Sequence, residues 1–143
     1  MEKGVMKYYR LSNFLWRRKV PIIPGILTRL IRVIYSIDLP YTCTIGKNVV
    51  FKHNGLGCVI HHNAQIGDNT VIYQNVSIAG RNNRGVPKIG RNCFIGAGAC
   101  ILGGIVIGDE AKIGANTTII ENVPAKTTVV GYKGRLIKKN ECE

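Results

Sequence analysis

A six-residue repeat dominates residues 88–115, the stretch KIGRNCFIGAGACILGGIVIGDEAKIGA. A helix repeats every 3.6 residues or so and a strand every two, so neither period explains this spacing. Four of the five isoleucines that mark the repeat are followed directly by glycine. These isoleucines are Ile89, Ile95, Ile101, Ile107 and Ile113. The spacing indicates a chain that turns a corner once in every hexad.

The same repeat runs, with two longer intervals, from Ile45 to Ile119. Four residues after most of the marker positions comes a small or modest side chain, and Gly, Asp and Asn, which tolerate sharp turns and positive φ, lie between. Each hexad is therefore interpreted as a very short strand and a corner, with three hexads to one triangular coil. Stacked coils then pair as parallel strands. The sequence predicts an all-β fold, a parallel β-helix of hexapeptide repeats, and known repeats of this kind coil in the left-handed sense. A β-sandwich is not favoured, because two-residue alternation and hairpin turns are not evident.

Residues 1–37 follow a helical pattern instead. Tyr8, Leu11 and Phe14 share one helical face, and beyond Pro21 and Pro24 apolar residues again recur at helical spacing, with arginines opposite. We expect two short basic amphipathic helices in this segment. Their apolar faces are suited to packing on the main body or a neighbouring subunit, or to docking on an anionic membrane surface. The expected division is helices at 1–37, a β-helix domain at 38–131 and a basic tail at 132–143.

The net charge of +12 suits anionic partners such as nucleotide phosphates, phospholipid headgroups or nucleic acid. Nucleic acid is not expected, because the basic residues are dispersed and no recognised module is evident. The apolar run from Ile22 to Ile37 is short and is broken by Arg29 and Arg32, so it should not span a bilayer. With no visible signal peptide, the expected compartment is the cytoplasm, with peripheral membrane contact through residues 1–37 left open.

The five cysteines show no metal-binding spacing and are interpreted as reduced packing residues.

Two interruptions of the repeat are the places to look for chemistry. The interval from Phe51 to Ile60 is nine residues, FKHNGLGCV, and that from Ile78 to Ile89 is eleven, IAGRNNRGVPK. Insertions in a solenoid emerge as surface loops, where binding commonly occurs. His53 lies in the first interruption and is a candidate general base, since an imidazole titrates near neutral pH; an exposed or structural role for it stays open. His61 and His62 are expected to be solvated corner residues.

Three ordered blocks carry a family resemblance over roughly residues 38–137. They are DLPYTCTIG, HNGLGCVIHHNAQIGDNTVIYQNVSIAG and PKIGRNCFIGAGACILGGIVIGDEAKIGANTTIIENVPAKTTVVG. These blocks resemble the serine acetyltransferase family of hexapeptide-repeat acyltransferases. The resemblance implies transfer of an acetyl group from acetyl-CoA to a hydroxyl, with no metal. It also implies a homotrimer of left-handed β-helices whose active site lies between neighbouring subunits.

The resemblance assigns roles residue by residue. His53 matches the family's catalytic histidine, and Asp38 matches the aspartate that supports it. Gly80 matches the glycine that enters the loop beside the thioester, while Ala97 and Ala115 match positions whose backbone lines the pantetheine arm. The final VVGYKGRLIK resembles a segment near the nucleotide end of CoA.

Charged residues near these positions suit anionic groups. Lys112 and Lys133, with Arg135, Lys138 and Lys139, are expected near the CoA phosphates. Arg81 and Arg84, in the second interruption, are better placed to bind an anionic acceptor such as a nucleotide-linked or lipid-diphosphate-linked sugar.

The departures from the family bear on the acceptor. Val86 replaces a second histidine that usually precedes PKI, Lys52 replaces the acidic residue before the catalytic histidine, and the loop at residues 80–87 is short. Lys133 also stands where the family usually begins a Pro-Ala pair. These changes favour a sugar acceptor of polysaccharide biosynthesis over L-serine, the acceptor used in cysteine biosynthesis. A zinc carbonic anhydrase-like enzyme and a non-catalytic β-helix are the further alternatives, and the histidine spacing does not match the former.

Overall fold

The computed structural model describes residues 4–131, and this part of the chain forms two helices followed by short strands. Helix α1 comprises Val5–Arg17 and α2 comprises Ile23–Tyr35. A 3-10 turn at Lys52–Gly55 is the only other helical element in this range. The strands are β1 Thr44–Ile45, β2 Val50–Phe51, β3 Val59–Ile60, β4 Gln65–Ile66, β5 Val71–Ile72, β6 Ser77–Ala79, β7 Lys88–Ile89, β8 Phe94–Ile95, β9 Cys100–Leu102, β10 Val106–Ile107, β11 Lys112–Ile113, β12 Thr118–Ile119 and β13 Thr128–Val129.

The strands form three parallel sheets, which are the three faces of a prism. The first face has the order β1-β4-β7-β10, the second β13-β11-β8-β5-β2 and the third β12-β9-β6-β3. Marker residues pair with marker residues one coil away, as in Ile66 with Ile89 and Ile78 with Ile101. The hexapeptide-repeat β-helix and the N-terminal helical segment predicted from the sequence are therefore confirmed.

The interior is a stack of the marker side chains. From Ile45 to Ile119 every marker residue is buried, and Ile72, Ile78, Ile95, Ile101, Ile107 and Ile113 are completely inaccessible to solvent. The small residues four places later, such as Cys93, are buried as well, and so is Cys43, two places before Ile45. Burial raises the pKa of the Cys43 thiol to about 12, so this cysteine stays protonated as a packing residue. The four cysteines within residues 4–131 are all free thiols.

The corners of the coils use left-handed backbone. Asn48, Asn69 and Asn92 have φ between 55° and 57° and occupy the corner between the first and second faces in successive coils. Asparagine tolerates this conformation because its short side chain can hydrogen-bond locally. This explains why Asn recurs between the apolar markers in the sequence.

Helix α1 covers the N-terminal end of the prism. The Tyr9 hydroxyl donates to the Cys43 carbonyl at 2.6 Å, Arg10 donates to the carbonyls of Ile45 and Gly46, and the Asn13 amide donates to the Tyr41 carbonyl at 2.6 Å. Helix α2 packs on α1, where the Ser12 hydroxyl donates to the Pro24 carbonyl at 2.9 Å. Neither helix in the described range is long and apolar enough to cross a membrane.

Candidate active site

The predicted site residues fall on two edges of the prism. The edge between the second and third faces, here called the histidine edge, carries His53, Ala97 and Ala115. The edge between the third and first faces, here called the loop edge, carries His61, His62 and the loop at residues 80–86. Because each edge passes one corner of every coil, residues far apart in sequence are stacked along it.

His53 lies in an unusual turn on the histidine edge. Its φ of 54° and ψ of 33° are left-handed, and Asn54 and Gly55 continue in the same region. Gly57, with φ of 70°, is the corner residue in register with Asn75 of the next coil, whose N–H donates to the Leu56 carbonyl at 2.8 Å, so His53 and Asn54 are additional left-handed residues of the inserted turn. A non-glycine residue costs about 1–2 kcal/mol in this conformation, and such strain is concentrated at functional sites. The side chain of His53 is exposed and forms no hydrogen bond within residues 4–131.

Asp38 lies beside the start of the third face, next to the histidine edge. Its backbone pairs with Val59 in parallel register, and its N–H donates to the Cys58 carbonyl at 2.9 Å. Its carboxylate forms an ion pair with the Arg32 guanidinium at 3.7 Å. Within the described chain, no hydrogen bond or ion pair joins Asp38 to His53. The two predicted partners therefore lie at the same end of the same edge without a hydrogen bond or ion pair between them.

Further along the histidine edge the backbone is open to solvent. Ala97 is half-buried and Ala115 is exposed, and neither N–H forms a hydrogen bond within the described residues. Lys112 is exposed on the neighbouring second face. The edge ends at a cavity of about 740 Å³. That cavity is lined by Asn116, Thr117, Thr118, Val129, Val130 and Gly131. Lys133 and the other basic tail residues lie outside the described residues.

The loop edge carries the second interruption as a tight loop. Asn82 and Asn83 turn the chain with φ of 48° and 55°, and the Gly104 N–H donates to the Arg84 carbonyl at 2.7 Å. A Cβ on Gly104 would collide with that carbonyl oxygen. The next coil therefore holds this loop in position, and glycine at 104 is needed for the close approach.

A cavity of about 510 Å³ lies under this loop, and His61 is one of its walls. The other walls are Ala79, Gly80, Arg81, Asn82, Asn83, Gly85 and Val86. The His61 Nδ1 accepts a hydrogen bond from the Asn63 N–H at 3.2 Å, which in the neutral ring leaves the proton on Nε2. Desolvation, and then the neighbouring His62, lower the pKa of His61, so its neutral form is favoured.

Sequence reasoning placed both histidines in solvent. His62 is indeed exposed, but His61 is half-buried and stacks on His62 with ring centroids 4.1 Å apart. The cavity at the loop also includes the predicted Gly80 and Arg81, whereas Arg84 is exposed and contributes its carbonyl to the anchor on Gly104. The signal in the sequence was that His61 and the second interruption occupy the same corner in consecutive coils.

A single chain does not bring the two edges together. From Ala97 on the histidine edge to Gly103 on the loop edge the chain advances six residues across the third face, at most about 20 Å. A general base works within about 3 Å of the proton that it removes. Within the described residues no hydrogen bond or ion pair joins His53 to the loop at residues 80–86, and His53 does not line the cavity under that loop.

The described residues contain no cluster of three or more His, Cys, Asp or Glu side chains arranged to hold a metal ion. His53 is on one edge, and His61 and His62 are on the other. The side chains available at the two edges are suited to proton transfer and to binding anions.

The fold and the two edges define the class of hexapeptide-repeat β-helix proteins. The profile of the bacterial transferase hexapeptide family (six repeats) matches residues 87–121. A serine acetyltransferase of Helicobacter pylori is 36% identical over 135 residues, covering 92% of this chain and 78% of that protein. One from Synechococcus elongatus is 33% identical over 135 residues, covering 92% of this chain and 55% of that protein.

Solved structures give the same result. Soybean serine acetyltransferase in complex with serine superposes with a TM-score of 0.83 at 36% identity, over 93% of this chain and 56% of that one. A serine acetyltransferase in complex with CoA gives 0.81 at 32% identity, over 93% and 55%. The chain belongs to the hexapeptide-repeat transferases and, within them, to the serine acetyltransferase family. It spans little more than half the length of several of these relatives.

Proposed function

We propose that this protein is an acetyl-CoA-dependent O-acetyltransferase that uses His53 as its general base. The observation that carries the proposal is the arrangement on the histidine edge, where His53 shares one edge with the open backbone of Ala97 and Ala115. Family membership supports it, since a related structure is a complex with CoA. An edge with a base at one end and open amides along its length is suited to a long thioester.

The proposed CoA site follows the histidine edge. His53 and Ala115 are three coils apart, about 14 Å at the usual spacing of parallel strands. An extended pantetheine arm has a comparable length, so it can run from a thioester beside His53 along Ala97 and Ala115. The cavity of about 740 Å³ at the end of the edge then lies where the nucleotide belongs. Lys112, and Lys133 beyond the described residues, are proposed to bind its phosphates.

In the proposed reaction, the neutral imidazole of His53 removes the proton of the acceptor hydroxyl. The hydroxyl oxygen forms a bond to the acetyl carbonyl carbon, and the carbon–sulfur bond breaks. The proton taken by His53 is then available to the departing thiolate. A positioned base of this kind contributes about 10²- to 10⁴-fold, and holding both substrates together contributes further.

Asp38 is proposed to orient the imidazole and stabilise its protonated form. Its present partner, Arg32, does not prevent this, because 68% of the Arg32 side chain is exposed. Ion pairs between exposed groups contribute at most about 1 kcal/mol. Asp38 can therefore exchange the guanidinium for an imidazolium ion at a small cost in free energy.

The active unit is proposed to be a homotrimer. The separation of the two edges in one chain supports this, because a neighbouring subunit is needed to place a loop edge opposite His53. Cyclic symmetry would then repeat the same cleft at every interface. The expected cytoplasmic location and the proposed division into residues 1–37, 38–131 and 132–143 stay predictions.

For the acceptor, L-serine is the first candidate. The curated relatives are serine acetyltransferases, and the soybean structure is a complex with serine. The second candidate is the sugar hydroxyl that sequence analysis favoured. Three residues support it. Lys52 and Val86 replace two family side chains that suit a small amino acid, and Arg81 lines the loop cavity.

Release of free thiol from acetyl-CoA, measured with L-serine, sugar nucleotides and oligosaccharides in parallel, tests the proposal. We expect thiol release with one acceptor class and a matching O-acetyl product by mass spectrometry. Activity with L-serine alone supports the first candidate, and activity with sugars alone supports the second. CoA binding in solution without turnover on any hydroxyl acceptor would refute the proposed function.

A further inference from the structure

The outer surface of the helical pair is apolar and unusually exposed. Helix α2 buries only Pro24 and Ile31, whereas Ile22 and Val33 are 78% and 80% exposed. The other exposed apolar residues of α2 are Ile23, Ile26, Leu30 and Ile34. Leaving this much aliphatic surface in water is unfavourable by about 25 cal/mol per Å². An exposed apolar surface of this kind generally marks an interaction site.

The exposed side chains of α2 form one continuous stripe. Within the helix, Ile26 and Val33 are separated by seven residues, which is close to two whole turns, so they project in the same direction. Ile22 lies directly before the first residue of the helix. Leu30 and Ile34 extend the stripe on one side. The opposite face of α2 packs on α1, and α1 is anchored to the first coil through Tyr9, Arg10 and Asn13. The stripe is therefore held facing away from the prism.

The charge around the stripe has a single sign. Between Gly4 and Ile37 the chain has seven Lys and Arg and no Asp or Glu. Arg17, Arg18 and Lys19 are exposed at the end of α1 and the turn that leads to α2. Arg29 is exposed on α2 and lies next to Val33 on the helical circumference. An apolar stripe bordered by cations is complementary to a surface that has an apolar interior and an anionic rim.

We propose that the α2 stripe docks the protein on the surface of an anionic lipid bilayer. An amphipathic helix with cations beside its apolar face lies in the headgroup plane with its aliphatic side chains among the acyl chains. A second copy of the chain is the competing partner. It is disfavoured because two such surfaces would bring the exposed cations of each copy together, namely Arg17, Arg18, Lys19 and Arg29. The proposal does not depend on the acetyl-transfer reaction.

Co-sedimentation of the full chain with vesicles tests the proposal. We expect binding to vesicles of phosphatidylglycerol and phosphatidylcholine that is at least tenfold stronger than binding to phosphatidylcholine alone and that declines as salt is raised. Trp16, the only tryptophan of the chain, is 42% exposed at the end of α1, so its fluorescence reports the approach of this segment to lipid.

Two sets of variants separate the apolar and ionic contributions. The double variant Ile22→Ser with Val33→Ser should weaken binding at least about tenfold, because two aliphatic side chains are lost at nearly fully exposed positions. Arg29→Gln should weaken it about fivefold. The matched controls are Val106→Ser and Lys126→Gln on the β-helix, and both should bind as the unchanged protein does.

The proposal is overturned if the protein stays in solution with anionic vesicles, or if the helix variants and the β-helix controls bind equally. It is also overturned if Ile22→Ser with Val33→Ser lowers the molecular mass in sedimentation equilibrium without changing lipid binding, since the stripe would then be a self-association surface. Thiol release by the helix variants in lipid-free buffer should match that of the unchanged protein. Failure of the membrane proposal is thereby distinguishable from failure of the proposed function.

Discussion

The histidine edge and the loop edge border the same face of the prism, yet they are built differently. Along the histidine edge, corners recur at the hexad spacing, and each left-handed residue is stacked on the next, from Asn75 to Gly98 to Asn116. Along the loop edge, an inserted loop is held by non-local contacts to Gly103 and Gly104. The repeat therefore provides a regular surface for an extended substrate, and the interruptions provide side chains that depart from the repeat. Four substitutions or conditions test this difference.

The largest effect is expected at the histidine edge. His53→Ala should lower turnover by about 10²- to 10⁴-fold, because the general base is removed. Since the ring is exposed and forms no hydrogen bond or ion pair in the described chain, CoA affinity and molecular mass should be unchanged. Thiol-release kinetics, isothermal titration with CoA and light scattering measure the three quantities. Turnover within about threefold of the original would show that His53 is not the base.

Next in size is an effect on the loop edge that removes no functional group. Gly104→Ala adds a methyl group that would collide with the Arg84 carbonyl, so the loop must shift. A displacement near 1 Å in a substrate-positioning segment costs up to about 10²-fold in acceptor kcat/KM. The KM for acetyl-CoA should change less than the acceptor kcat/KM, because most of that substrate is assigned to the histidine edge and only its thioester end is expected near the loop. Gly25→Ala, where a methyl group would meet open space, is the matched control.

Arg84→Ala should have a smaller effect. An exposed guanidinium that binds an anionic acceptor contributes little in water, so we expect the acceptor KM to rise about two- to fivefold with kcat unchanged. The change should appear only with acceptors that carry a phosphate, and L-serine should show none. Initial rates with a phosphorylated and an unphosphorylated acceptor make the comparison. An equal effect on both would exclude an anion-binding role for Arg84.

The smallest effect concerns pH. Desolvation and His62 lower the pKa of His61 from its usual 6.5, so the ring stays neutral as pH falls through 6.5 and becomes protonated only at lower pH. A neutral donor at Nε2 is imitated by glutamine. The ratio of acceptor KM between the original protein and His61→Gln should therefore vary less than about twofold from pH 8 to 6.5 and change only below that range. A change in this KM ratio centred at or above pH 6.5 would contradict a lowered pKa for His61.

Much of the fold was predictable because the hexad is a local signal. A side chain at each marker position, from Ile45 to Ile119, faces inward whatever the rest of the chain does, so periodicity alone identified the core. The candidate site was predictable only in part. His53 and the loop at residues 80–86 were recognisable as interruptions, but the place of His61 in the wall of the loop cavity was not, because it depends on two coils lying in register. The ion pair of Asp38 with Arg32 was also missed, since it joins the helical segment to the first coil.

The sequence by itself determined the local structure of the chain: short strands, asparagine corners, an isoleucine interior and two amphipathic helices. These follow from steric preferences and hydrophobic burial within a few residues of each position. The tertiary structure decided which residues share an edge, that Gly104 anchors the loop, and that the stripe on α2 faces away from the prism. Those features depend on how whole coils and helices pack, and contacts between distant segments have no periodicity that a single sequence displays.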